Sequence, residues 1–210
     1  MSDDSFSAIE ATLKKTVAAL REAGVDALLG GSLAIWARGG PETRHDLDFM
    51  VKPGDAETAL QALADAGMRP EKPPEGWLYK AWDGDVLVDL IFGPRGLEMT
   101  DEVIERGEDR EVMAISVRLM ALEDVFATKL LSLDEHNADY SRVLLMARSL
   151  REQVDWDAVR ARTADHPFAS AFFVLGEELE ILSPRGPSAP APGAAAHTAG
   201  GRRAHVRVVD

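Results

Sequence analysis

The sequence predicts an α+β fold: a small mixed β-sheet with flanking helices over residues 1–118, a helical C-terminal subdomain over 119–183, and a disordered tail over 184–210. Short apolar runs of strand length, bounded by glycine or charged turns, recur through the first half. Asp83-Gly84 separates two of them and is a strong two-residue hairpin signal. After Leu119 the apolar residues fall at helical spacing, and after Ser183 the chain is Pro, Ala and Gly with almost nothing to bury.

Phe6, Ile9, Leu13, Val17 and Leu20 form one helical stripe, and Gly24 is its stop. Val25 to Gly31 (VDALLGG) is a short buried strand ending in a glycine turn. Ser32 then stands at the N-cap of a short helix, SLAIWAR. The loop GGPET leads into a strand, DLDFMVK, from Asp46 to Lys52. Gly54 to Gly67 is an amphipathic helix with Ala59, Leu60, Leu63 and Ala64 inward. Trp77 to Trp82 and Asp85 to Phe92 are the two hairpin strands, and EVMAISV is one further strand. Helices follow at Leu122 to Leu133, Tyr140 to Leu150, Trp156 to Arg162 and Phe168 to Leu182.

Composition narrows the functional classes. With no cysteine, disulfides, thiolate nucleophiles and cysteine-ligated zinc are excluded. The five histidines are scattered singly, which argues against a histidine-built metal site. No apolar run approaches the roughly 20 residues that span a bilayer, and the acidic start MSDDSFSAIE lacks a signal-peptide pattern. A cytoplasmic location with no membrane partner is the expectation. The net charge is −13, and the tail from Pro184 onward holds four Arg against one Asp, which leaves −16 on the body before it. Such a surface repels polyanions, so extended binding along nucleic acid is disfavoured.

The chemistry concentrates in three carboxylates. In DLDFMVK, alternation turns Leu47, Phe49 and Val51 to one face and Asp46 and Asp48 to the other. Their Cα atoms should lie roughly 6–7 Å apart, a spacing from which two carboxylates converge on a pair of magnesium ions about 3.5–4 Å apart. Without cations they repel each other. In DVLVDLIFG, Asp89 shares a face with Leu87 and Ile91 on a strand that reads as buried on both sides. A carboxylate there needs a cation or strong donors as partner; by itself it is equally well a strand-end Asp paired with an Arg. Gly30-Gly31-Ser32, between a strand and a helix, offers backbone N–H groups to a phosphate, although plain turn chemistry is the commoner use of such a tripeptide.

LLGGSLAIWARGGPETRHDLDFMV resembles the DNA polymerase beta-like nucleotidyltransferase superfamily, with its Gly-Gly/Ser turn, short helix and apolar-Asp-x-Asp-apolar strand. VLVDLIFG resembles the third-carboxylate strand of that superfamily. LEDVFATKLL is similar to a later helix of AbiEii-type, toxin-like members, which the chain resembles most. The resemblance spans roughly Gly24 to Leu150. It implies a nucleotidyltransferase fold and a magnesium-dependent transfer of a nucleoside monophosphate from a nucleoside triphosphate. By it, Asp46 and Asp48 bind two Mg²⁺ ions, and Asp89 binds one of them or acts as base. Ser32 and the Gly31 amide hold the β- and γ-phosphates. The acceptor is a hydroxyl or phosphate of RNA, protein or a small molecule such as an antibiotic, and a toxin-like role implies an antitoxin partner. The alternative is a non-catalytic member of the same fold that binds nucleotide or a partner.

Lys129 stands at i+7 on the stripe Leu122, Val125, Phe126, Leu130, Leu133, where a Leu would be expected. An inward Lys wants an anion, here a triphosphate, or else it snorkels to the surface. Arg44, next to the Asp46 strand, could meet a phosphate or pair with an acid. Arg44 and His45 also stand where relatives often carry Thr or Ser. Asp139 reads equally as a late acidic site residue or a helix N-cap. Trp36, Trp77, Trp82 and Tyr79 are read mostly as core, with a base or acceptor pocket as the other use.

Overall fold

The computed structural model describes residues 3–42 and 46–183. Helix α1 (Asp3–Glu22) runs two residues past its predicted stripe and ends where Gly24 takes φ +68. Strand β1 (Ala27–Leu29), helix α2 (Gly31–Trp36) and strand β2 (Asp46–Val51) follow. A 3₁₀ turn at Pro53–Asp55 precedes α3 (Ala56–Asp65), so this helix starts two residues later than its apolar pattern suggested. Then come β3 (Arg69–Glu71), β4 (Leu78–Asp83), β5 (Val86–Ile91), α4 (Asp101–Glu105), β6 (Glu108–Val112) and β7 (Ile115–Leu119). The chain continues as α5 (Leu122–Leu131), α6 (Tyr140–Leu150), α7 (Trp156–Arg162) and α8 (Pro167–Glu178). The predicted tail, 184–210, lies outside the described residues.

The seven strands form one mixed sheet in the order β3-β4-β5-β2-β1-β7-β6. The central pairs β2·β5 and β1·β7 are parallel, and the remaining pairs are antiparallel. Alternation along β2 sorts its side chains between two cores. Leu47, Phe49 and Val51 face α1 and α3, packing on Leu13, Leu60 and Leu63. Met50 faces the opposite side, in a cluster with Ile35 of α2, Val125 and Phe126 of α5, and Phe172 of α8. Asp46 and Asp48 share that second face by the period of two. The helical half of the chain therefore packs over the face that carries them.

Three expectations are corrected. EVMAISV is a hairpin, β6–β7, and not one strand: it turns at Met113-Ala114, whose φ values are 52° and 58°. Both residues sit in the left-handed region that a tight two-residue hairpin demands, without the Asn or Gly that usually announces it. The β4–β5 turn is one residue later than the Asp-Gly signal placed it. Asp83 pairs with Val86, so Gly84-Asp85 make the turn. The Asp83 carboxylate accepts hydrogen bonds from Thr12 and Lys15 of α1, which holds it in the ladder. Ser32 is not an N-cap: Gly30 caps α2 without a side-chain bond, and Ser32 is the second residue of that helix.

Candidate active site

The register of the central strands brings two of the three aspartates together. Asp48 of β2 and Asp89 of β5 are directly paired across the parallel ladder, at a strand separation of about 4.8 Å. Asp46, two residues earlier on the same face, pairs with Leu87 and is exposed. Residues 43–45, and with them Arg44, lie outside the described residues.

The glycine turn closes over Asp48. The Gly30 N–H donates to the Asp48 carbonyl at 2.8 Å, which ties the β1–α2 junction to β2. Gly31 adopts φ +57, and a Cβ on it would fall 1.7 Å from Asp48 Oδ2. Only glycine allows the backbone this close to the carboxylate, and a side chain there would be strained as well as blocked. Gly30 and Gly31 are buried, and Ser32 is half-buried at the edge of the same junction.

Charge at this point is unbalanced by design of the sheet. Burial pushes the Asp48 carboxyl up from 3.8 to about 6, and the neighbouring Asp89 and Asp46 push the same way. Lys129 and, more weakly, Lys80 oppose them. Lys129 lies on the α5 face turned to the sheet; burial lowers its ammonium while the Asp48 carboxylate raises it. The two groups thus face each other across the site. Asp89 already has a partner that the sequence reading missed. Lys80, opposite it on β4, reaches it at 2.8 Å in a largely buried ion pair.

Beside Asp48 lies a cavity of about 580 Å³, lined in part by Gly31, Asp48 and Lys129. Met50, Ile91, Val125 and Pro94 make its apolar walls, and Trp77, Arg95, Thr128 and Ser132 complete it. Of the four aromatics read as core, Trp36 packs against Phe6 and Tyr79 against Phe92. Trp82 lies under Arg69 and donates to Glu71. Trp77 departs from that expectation: it is 42 % exposed on the cavity wall. Asp139 caps α6, accepting from the Ser141 N–H at 3.0 Å, which is the structural one of its two readings.

Among the described residues no three His, Cys, Asp or Glu side chains converge as a metal cage. The donors nonetheless suit a hard divalent cation: they are carboxylate oxygens, two of them at paired strand positions, and burial pushes the Asp48 carboxyl up to about 6. The helix that carries Lys129 is anchored by Asp124, whose buried carboxylate takes two hydrogen-bonded arginines, Arg106 at 3.0 Å and Arg162.

A family described as nucleotidyl transferase of unknown function (DUF2204) matches residues 9–171. Among solved structures, the antibiotic-resistance factor ANT(2'')-Ia is similar with a TM-score of 0.57 and 17 % identity, over 83 % of this chain and 98 % of that one. The same factor in complex with adenylyl-2''-tobramycin also has a TM-score of 0.57 and 17 % identity, over 78 % and 98 %. JHP933 from Helicobacter pylori has a TM-score of 0.50 and 15 % identity, over 87 % and 84 %. At these identities the likeness is one of fold. No curated protein matches the chain.

Proposed function

The chain belongs to the DUF2204 family of nucleotidyl transferases, and from that premise we propose a magnesium-dependent transfer of a nucleoside monophosphate, from a triphosphate such as ATP, to a hydroxyl of a small molecule. The observation that carries this is the pairing of Asp48 with Asp89 in register beneath Gly31.

Asp46, Asp48 and Asp89 are the residues that would hold the metal. Magnesium bound there lowers the pKa of an attacking hydroxyl and offsets charge on the leaving oxygen. The protein's own groups do the rest. The backbone at Gly31 and Ser32 faces the β- and γ-phosphates, and Lys129 gives them a cation from the opposite wall. As the alternative to holding metal, Asp89 would take the hydroxyl proton as the new O–P bond forms. The acceptor oxygen attacks the α-phosphorus in line, the α–β bridging bond breaks, and pyrophosphate leaves.

Two points support a small acceptor over RNA. A net charge of −13 disfavours a long polyanion, and the structurally similar ANT(2'')-Ia has been seen with an adenylylated antibiotic. A toxin-like action on RNA or protein, with an antitoxin partner, is the competing proposal and would need a basic groove on this acidic surface. Residues 119–183 are best regarded as a subdomain that roofs the site through α5. Among the described residues no helix is long and apolar enough to cross a membrane. One observation favours binding without turnover: Lys80 already gives Asp89 a cation.

Thermal shift tests the metal and nucleotide together. ATP with magnesium should stabilise the protein by about 2.7 kcal/mol at a hundredfold excess over Kd. The effect should vanish without magnesium and in the Asp46→Ala, Asp48→Ala double variant. Equal stabilisation by ATP in all three conditions contradicts the metal-dependent reading.

A further inference from the structure

The cavity beside Asp48 has a mixed lining. Gly31, Asp48 and Lys129 are charged or polar, and Met50, Ile91, Pro94, Val125 and Trp77 are apolar. The sheet register places Trp77 relative to Asp48. Ile91 lies two residues beyond Asp89, and Phe92 lies three beyond. The Phe92 and Gly93 N–H groups both donate to the Trp77 carbonyl, each at 3.1 Å. Trp77 therefore stands roughly 10 Å farther along the sheet than the Asp48–Asp89 pair.

The main chain at Trp77 is held, but the residue is not buried. Two hydrogen bonds hold the carbonyl, and Gly93 presses against the residue so closely that a Cβ there would come within 3.1 Å of Trp77 Cβ. Trp77 as a residue is nevertheless 42 % exposed, the only tryptophan among the large exposed apolar residues of the described chain. An exposed tryptophan on a held main chain in a cavity wall is a stacking surface for a flat ring. In the same cavity Lys129 and the glycine turn suit an anion. A ligand that matches both has a phosphate head and a planar ring joined by a short spacer.

We infer that Trp77 is the platform for the nucleobase, and that the cavity holds a nucleoside triphosphate lengthwise, with phosphates at Gly31 and Lys129 and the base on the indole. This rests on the nucleotidyl-transfer reading and adds to it where the nucleoside lies and which residue holds the base. Besides Asp48 and Lys129, the cavity is lined by the charged Arg95, whose Nη1 donates to the Leu131 carbonyl at 3.4 Å. Recognition by stacking on one ring is tolerant of base identity, so purine triphosphates of both kinds should bind with similar affinity.

The test compares ATP with inorganic tripolyphosphate, which keeps the phosphates and lacks the ring. Calorimetric titrations with magnesium are made on the full chain as wild type, Trp77→Ala and Trp77→Phe. Base–aromatic stacking predicts that Trp77→Ala weakens ATP roughly 5- to 100-fold, leaves tripolyphosphate within about twofold, and that Trp77→Phe recovers most of the ATP affinity. Unchanged ATP affinity in Trp77→Ala overturns the inference and gives the indole to the acceptor. Equal weakening of both ligands overturns it too, because Trp77 would then only shape the wall. If wild type binds neither ligand, the nucleotide reading falls and takes this one with it; if it binds both and Trp77→Ala matches it, only the base platform falls.

Discussion

Asp48 is the residue on which the site's electrostatics converge. It is pressed between a glycine turn and a neighbouring carboxylate, and its carboxyl is raised from 3.8 to about 6. The stability consequence follows from the sign of that shift. A folded pKa above the unfolded one means that the folded state holds the proton more tightly, so Asp48 costs stability increasingly as pH rises from about 4 to about 6, and the cost is complete above that. Asp48→Asn, which removes the charge and keeps the shape, should therefore stabilise the metal-free protein more at pH 8 than at pH 4.5. Urea denaturation at the two pH values measures this, and an equal or reversed effect contradicts the burial account. A site that destabilises its own fold when empty of cations has the character of a functional site. Part of this was legible in the sequence: the Asp-x-Asp alternation in β2 put both acids on one face, and Gly-Gly-Ser was read as a turn offering its backbone to a phosphate. The closeness of the approach was not legible, because a φ of +57 at Gly31 is a tertiary fact.

At the scale of elements, one residue of turn placement decided what could be read of Asp89. A turn at Asp83-Gly84 pairs Leu78 with Asp89 and leaves the acid facing an apolar neighbour. The observed turn at Gly84-Asp85 pairs Lys80 with Asp89 and makes a 2.8 Å ion pair. Slipping a hairpin by one residue on each strand changes every cross-strand partner, and the signal that corrects it, Asp83 bound by Thr12 and Lys15, is 68 to 71 residues away in sequence. The β6–β7 turn was hidden for a similar reason, since Met113 and Ala114 carry no turn chemistry. By contrast α6 and α7 begin and end as their apolar spacing predicted, each capped by an Asp. Helix α5 shows how an element aims a side chain. Its Asp124 is buried against Arg106 and Arg162, which fixes the rotation that turns Lys129 to the sheet. Asp124→Asn should destabilise the fold, by up to about 3–5 kcal/mol, toward the lower end because the two arginines are 39 % and 38 % exposed and can rehydrate. Urea denaturation at neutral pH is the check, and an unchanged midpoint would show that the clamp contributes nothing.

For the whole molecule, the sheet is a partition. One face and its helices, α1 and α3, make a closed core, while the other face carries the aspartates under the helical half of the chain. This division explains why a fold could be predicted from alternation alone while the cavity could not. The cavity lies between β2, β5 and α5, elements that are far apart in sequence and meet only after folding. Net charge bears on the proposed acceptor as well: a body this acidic offers little to a polyanion along its surface. The most direct measurement of the account is transfer itself. The protein is incubated with magnesium and each α-labelled nucleoside triphosphate, in the presence of small-molecule, RNA and protein fractions of a cell extract. Labelled product and pyrophosphate should appear together in the small-molecule fraction, and both should fall by at least on the order of 10³-fold in Asp48→Asn. Turnover that is equal in wild type and Asp48→Asn, or no label moved to any fraction from any triphosphate, would contradict it.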